Sequence, residues 1–370
     1  MIETLHENGK EYGFMEFKVV TISAATPYER GVQHGQAARD LIERGIARYQ
    51  EHFQKAEQAP WSMVRQKAMG FVPILEREYE DLLEEIRGIA GGSGVDFEDM
   101  MVLNTRYELL KFPIQECTTF AVLPEASANR HTYLGMNWDN VGWMRDSSLL
   151  LKVDELNGTR YFCMTEAGQL IRHGFNNHGV AVVTNNLLST GDKDQPGVPT
   201  NFMRRRILTS KTLEEAVQSV RNAPRSVSCN LMAASAEGNA VDMEVNPVRL
   251  SELHPTGGIL THANHFATNR DICRSKGGNF RDVRLYSLLE QRRGSIDPAF
   301  ITDCLKDHYK ADPASHEAIC KHIPQAGESV GQDPASCSVT IASQIYDLDA
   351  REALVCCGNP CTGSYTKYTL

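Results

Sequence analysis

Three groups of residues in this chain of 370 have the types and spacing to do chemistry. Cys356, Cys357 and Cys361 sit close together and offer soft ligands of the kind zinc takes. On a strand, however, Cys356 and Cys357 would point to opposite faces, which places them poorly to share one tetrahedral ion. Buried or edge thiols are therefore the expectation, and no metal is assigned. His262-Ala-Asn-His265 could chelate, but no carboxylate or cysteine pair of matching spacing completes a site, so hydrogen-bonding histidines are expected there. Cys117 follows Glu116 and precedes Thr118-Thr119 at a change of texture in the chain. By spacing alone it reads as a thiol at a strand start. The chain has no phosphate-cradling loop, no Gly-x-Ser-x-Gly elbow and no dinucleotide fingerprint. No cofactor is expected.

The elements that would position these residues change character at Cys117. Before it the chain reads as helix. Thr26-Pro27-Tyr28-Glu29 is a capping box with proline at the first helical position. Ile42, Ile46, Tyr49 and Phe53 then step by helical spacing along one face. Gly31 and Gly35, a turn apart, would let another backbone approach closely. A second helix carries Leu82, Leu83, Ile86 and Ile89 opposite an acidic face, with Gly91-Gly92 as its stop. A third opens at Phe97 and ends near Phe112-Pro113. After Cys117, short apolar or β-rich runs at about 117–123, 131–137, 148–153, 160–165 and 179–185 predict strands. Helices follow at about 200–222, with a capping box from Thr212 to Glu215. Strands are predicted at 228–245 and 258–264, helices at 281–310, and two last strands at 338–346 and 351–357. The stretch Ala311–Pro334 reads as a long surface loop. Strand runs beside paired helices predict layered α/β or α+β packing.

Composition narrows the class. The chain is 41% hydrophobic and 23% charged, with a formal charge of −9, which argues against a mostly disordered protein. A chain of this length buries roughly 75% of its unfolded surface and needs no staple. Scattered basic residues leave no nucleic-acid footprint, and no apolar run approaches the roughly 20 residues of a membrane span. Neither end carries a recognisable secretory, retention or peroxisomal address, so a cytoplasmic location is expected. Ten cysteines are too sparse for a disulfide scaffold, and in a reducing compartment most stay free.

Several motifs in order carry more than any one of them. Glu85-Ile-Arg-Gly-Ile-Ala90, Gly94 through Asn104, Cys117-Thr-Thr-Phe, Gly135-Met-Asn-Trp-Asp139, Thr184-Asn-Asn-Leu187, Asn264-His-Phe266 and the tail from Ile345 to Leu354 together resemble the acyl-CoA:6-aminopenicillanic acid acyltransferase family. That family belongs to the N-terminal nucleophile (Ntn) hydrolases. The resemblance runs from about Gly31 to Pro360. It implies an α+β fold, a four-layer αββα sandwich, with residues 1–116 as a helical N-terminal segment and 117–370 as the catalytic core. It also implies a precursor that cuts itself between Glu116 and Cys117, the cleaved N-terminal chain staying bound.

The roles that follow are those of the resemblance. Cys117 attacks an acyl carbonyl to give a thioester, and its new α-amino group, with a pKa of roughly 7.7–8.0, shuttles the proton. Asp139 orients that amino group. Asn264 holds the oxyanion, with Asn186 as second donor and its neighbour Asn185 as the rival. Glu116, Thr118 and Ser336 are placed in processing or substrate binding. At Ser336-Cys337-Ser338 the penicillin-forming member carries Ser-Arg-Gly, so Cys337 stands at the arginine position and weakens any transfer of penicillin chemistry. The expected activity is hydrolysis of a small N-acyl amide through an acyl-enzyme. The alternatives are acyl-CoA-dependent transfer to an amine and an uncut, non-catalytic binding module. Bile-salt and penicillin V amidases place the nucleophile near the start of the translated chain; the 116 residues before Cys117 favour the acyltransferase-type branch.

Overall fold

The fold is described from a computed structural model that covers residues 16–110, 117–274, 280–310, 315, 317–323 and 337–370, with the backbone of 6–7 and 10–11. Two short strands, β1 (His6–Glu7) and β2 (Lys10–Glu11), pair with each other, and β3 (Lys18–Ser23) leads into helices. These are α1 (Pro27–Ala56), α2 (Trp61–Met69), α3 (Val72–Glu78), α4 (Glu80–Ser93) and α5 (Phe97–Leu109). Then come β4 (Thr118–Val122), β5 (Tyr133–Val141), β6 (Ser148–Asp154), β7 (Arg160–Glu166), β8 (His173–Asn176) and β9 (Val180–Asn186). Helices α6 (Thr200–Thr209) and α7 (Leu213–Asn222) precede β10 (Cys229–Ser235), β11 (Asn239–Val245), β12 (Leu250–Leu253) and β13 (Ile259–His262). The chain closes with α8 (Phe280–Glu290), α9 (Pro298–Leu305), β14 (Ser338–Asp347), β15 (Glu352–Cys357) and β16 (Tyr365–Thr369).

Two sheets face each other. The larger runs β12-β11-β10-β9-β8-β7-β6-β3 and the smaller β13-β4-β5-β14-β15-β16. Every pairing in them is antiparallel except that of β3 with β6. Helices α6 and α7 pack on β8–β10 and α1 on β3, with α4 against α1; α8 packs on β4 and β13, with α9 beside it. The order helix, sheet, sheet, helix is the αββα arrangement, as the motifs implied. It arises because both faces of each sheet are apolar: β4, β9 and β10 are buried along nearly their whole length, so each sheet must be covered on both sides.

The first helix forms as its spacing predicts. Thr26 Oγ1 accepts from the Glu29 backbone N–H at 3.2 Å and donates to the Glu29 carboxylate at 2.8 Å, and Ile42, Ile46, Tyr49 and Phe53 are all buried. Gly31 and Gly35 meet α4: a Cβ on Gly31 would lie 2.0 Å from the Glu85 carbonyl, and one on Gly35 2.3 Å from that of Ile89. Gly91 and Gly92 do not end α4. They lie inside it, Gly92 against Val32, and the stop is Gly94 in the left-handed conformation at φ 74°.

Other elements depart from the sequence reading. The N-terminal segment is not wholly helical, because β3 joins the larger sheet as an edge strand. Its run Lys18-Val-Val-Thr-Ile-Ser is β-branched, with Val20 and Ile22 turned inward. The four-residue β8 and the terminal β16 are further strands, both short. Within the stretch read as a surface loop, Ala318, Ile319 and Cys320 are buried, Ile319 in the apolar cluster beneath α8 and α9; most of that stretch lies outside the described residues. Among the described residues no helix is long and apolar enough to cross a membrane.

Candidate active site

Cys117 stands at the head of β4, facing the seam between the two sheets, and is 7% exposed. Its Sγ lies 3.5 Å from the Asp139 backbone carbonyl. Burial, with the Asp139 charge adding to it, pushes the thiol up to about 12. In this environment the sulfur is held protonated.

Asp139 comes from β5, the neighbour of β4. Its Oδ1 accepts from Thr340 Oγ1 at 2.7 Å. Thr340 pairs with Asp139 across the β5–β14 ladder, and the register shifts between Thr340 and Ala342. A bulge at such a place re-aims side chains beside a site, and here it aims Thr340 at the carboxylate. From the larger sheet, Asn185 at the end of β9 donates through Nδ2 to the Cys117 carbonyl at 3.1 Å. Its Oδ1 accepts from Thr119 Oγ1 at 2.8 Å and Asn230 Nδ2 at 3.1 Å. That amide is committed to holding the start of β4. Asn186 turns the other way, as alternation along a strand requires, and its Oδ1 accepts from the Tyr107 hydroxyl. Asn264 donates through Nδ2 to the Asn186 carbonyl at 3.0 Å, while its Oδ1 accepts from Arg281 at 3.1 Å.

Cys117, Asp139, Asn186 and Asn264 line one cavity. It holds about 20 Å³ of free space, room for about one water. Asn185 is beside it rather than on its wall. Thr118 is turned from it, its hydroxyl accepting from Arg281 Nε at 3.3 Å. Glu116 and Ser336 lie outside the described residues.

The opposite wall carries residues that the sequence reading did not single out: Arg106, Tyr107, Arg172 and Arg204. Glu166 pairs with both Arg106 and Arg172, and Tyr49 donates to it. Burial first, and the charge of Arg106 second, hold Arg172 down to about 10. Glu108, buried behind them, is raised to about 7 by that burial although Thr200 donates to it twice. One signal was available. Arg204-Arg205-Arg206 on α6 has no acidic residue three or four positions away, so its partners had to be distant. Arg205 meets Glu85, Arg206 meets Asp81, and Arg204 reaches the cavity.

The histidines lie deeper at the seam. His262 Nε2 is hydrogen-bonded to Glu244 at 2.9 Å and stacks on His265 at 5.6 Å, in keeping with a hydrogen-bonding role. Burial lowers the His262 pKa, but Asp242, Glu244 and Asp282 outweigh it and raise it to about 9. No histidine lines the cavity among the described residues.

A buried cysteine at the head of a central strand, between two facing sheets, with a carboxylate and amides converging on it, defines a cysteine enzyme of the Ntn-hydrolase class. The family profile of acyl-coenzyme A:6-aminopenicillanic acid acyl-transferase matches residues 126–361. The chain belongs to that family, and its chemistry is amidohydrolase or acyltransferase chemistry on small acyl-amide or acyl-thioester substrates. It is 28% identical over 255 residues to the 40 kDa form of acyl-coenzyme A:6-aminopenicillanic-acid-acyltransferase of Emericella nidulans, covering 66% of this chain and 68% of that one. Solved structures of similar shape include penicillin V acylase from Agrobacterium tumefaciens, with TM-score 0.46 and 15% identity over 69% of this chain and 86% of that one. Another is the Caenorhabditis elegans N-acylethanolamine-hydrolyzing acid amidase ortholog, with TM-score 0.45 and 15% identity over 63% and 93%.

Proposed function

We propose that the protein is a self-processing amidohydrolase in which Cys117, freed by cleavage after Glu116, is nucleophile and, through its own amino group, proton carrier. The observation that carries this reading is the cavity itself. It brings a thiol, a carboxylate and two asparagines together, and no histidine lines it among the described residues, which supports a base supplied by the nucleophile's own amino group.

In processing, Cys117 Sγ attacks the Glu116 carbonyl carbon. The C–N bond breaks, the nitrogen takes a proton, and Glu116 is carried as a thioester that water hydrolyses to a carboxylate. The product is a thiol and an amine on one residue. That amine titrates near neutral pH, accepts the thiol proton and passes it to the leaving amine of the substrate. Asp139, held by Thr340, fixes the ammonium form that exists in between. Asn264 and Asn186 supply the oxyanion side, where loss of one donor costs about 3–4 kcal/mol. Asn185, bound to the Cys117 carbonyl, acts as a positioning residue. Water then takes the acyl group from the thioester.

The cationic wall favours an amide whose amine half bears a carboxylate, such as an N-acyl amino acid, over a neutral N-acyl amine. The N-terminal chain stays bound: Asn104 donates to the Gly168 carbonyl at 2.8 Å, Arg106 pairs with Glu166, and Glu85 takes a bidentate bond from Arg205 at 2.9 and 2.8 Å.

Denaturing mass measurement tests the reading. Cutting 41.2 kDa after residue 116 of 370 gives fragments of about 13 and 28 kDa, the larger beginning Cys-Thr-Thr-Phe. Cys117→Ala stays one chain and loses activity. An active preparation that is uncut at this junction overturns the mechanism. Incubation with N-acyl amino acids, N-acyl amines, or acyl-CoA plus an amine separates the substrates; CoA release that depends on the amine would reassign the enzyme as an acyltransferase.

A further inference from the structure

We propose that His308, Cys320, His322 and Cys361 form a structural zinc site on the outer side of the smaller sheet. Each offers one ligand atom, and these atoms all lie within 4.8 Å of one another. The two sulfurs are 3.5 Å apart, and His322 Nε2 is 3.1 Å from Cys361 Sγ and 3.7 Å from Cys320 Sγ. A tetrahedral zinc with bonds of about 2.0–2.3 Å separates its ligand atoms by about 3.3–3.8 Å, so the cluster is close to the required size already. Two thiolates and two imidazoles select zinc over magnesium or calcium, which take oxygen. With both sulfurs bound as thiolates the site is electrically neutral, which suits its half-buried position.

Four protein ligands leave no open position, and none of the four lines the catalytic cavity. The site is structural. Its surroundings fit a metal's outer shell: Asn359 Nδ2 approaches Cys320 Sγ at 3.6 Å and donates to the Lys321 carbonyl at 2.6 Å, while the Ile319 and Cys320 amides donate to the Asp307 carbonyl at 3.1 and 3.0 Å. His308 Nε2 is buried without a hydrogen-bond partner among the described residues. The clip joins three separate pieces of chain: the exit of α9, the segment 318–322 and the turn between β15 and β16. It also braces the catalytic aspartate. The Lys321 amide donates to Thr340 Oγ1 at 2.8 Å, the Thr340 amide donates to the Lys321 carbonyl at 2.9 Å, and Thr340 holds Asp139.

The test is metal analysis of the full chain purified under reducing conditions without chelators. One zinc per chain is expected, with a fall in Tm on treatment with a strong zinc chelator. Cobalt(II) added to the metal-free protein should give intense visible bands of a tetrahedral site with thiolate charge transfer. Cys320→Ser and Cys361→Ser should each lose stoichiometric zinc, and Cys357→Ser, a neighbour outside the cluster, should keep it. Should the serine variants fail to fold, the cobalt spectrum of the wild-type chain still decides. Protein that holds no zinc and gives no tetrahedral cobalt spectrum overturns the proposal. So does peptide mapping that finds Cys320 joined to Cys361 as a disulfide in the active enzyme.

Discussion

Two buried polar clusters, one in the helical layer on the larger sheet and one at the seam between the sheets, hold by different chemistry. On the larger sheet, α1 and α4 touch backbone to backbone through glycines, and the buried charges are guanidinium and carboxylate. Arg205 binds Glu85 in a fork and Glu155 at 3.1 Å, and Arg30 lies 3.6 Å from each acid. On the smaller sheet a second, smaller apolar cluster lies beneath α8 and α9. At the seam, where β13 meets β11 of the larger sheet, the contact relies instead on imidazole, with His262 between Glu244, Asp242 and the stacked His265. The difference teaches where the molecule is sensitive. Arginine stays charged at any pH a protein meets, so the arginines of the first cluster do not titrate near neutrality. Histidine does.

The largest effect should come from Glu85→Ala. It leaves two buried arginines with Glu155 as their remaining carboxylate, and breaking a buried pair of this kind costs about 3–5 kcal/mol. Urea unfolding would read it; a loss below about 1 kcal/mol would erase the distinction between the clusters. Next is Gly31→Ala. In an exposed helix that change stabilises by about 0.5–1 kcal/mol, but here the added carbon meets the Glu85 carbonyl. A cost of about 1–3 kcal/mol is expected, and a gain in Tm would mean that α1 and α4 are not in close contact.

The effect confined to the narrowest range of conditions is the dependence on pH. The folded pKa of His262 is raised to about 9 from 6.5, so its contribution is complete below pH 6.5 and is lost as pH rises through 9. Of its shifted neighbours, Asp242 is raised to about 6, His265 is lowered to about 4, Glu244 is lowered and Asp282 is raised from 3.8. Asp242 and His265 thus titrate below that window, and His262 titrates across it. Thermal melts should drift downward between pH 6.5 and 9, and His262→Gln should flatten the slope. An equal slope in both proteins would place the titration elsewhere.

How much of this was legible beforehand depends on the distance between partners. Local signals were readable: the Thr26 and Thr212 caps, the buried face of α1, and the glycine pair that receives α4. Strand alternation sets Cys356 and Cys357 on opposite faces of β15. It said nothing of Cys361, whose companions stand 39 to 53 positions earlier in the chain, and spacing rules do not reach that far. Cys117 stood out through the ordered motifs alone, since a thiol at a strand start has no local mark. Of the cavity's arginine wall only the Arg204 run left a mark in the sequence; Arg106 on α5 and Arg172 leading into β8 left none, because they meet it only after folding. Strand β3 was passed over because a six-residue run beside a thirty-residue helix carries little pattern of its own.

That modest strand has a consequence for the life history of the molecule. β3 lies upstream of the proposed scission point yet is zipped along its full length to β6, downstream of it. A two-chain enzyme made this way is a partnership whose members never meet as strangers. Were the chain cut there, each part would still share a sheet border with the other through β3 and β6.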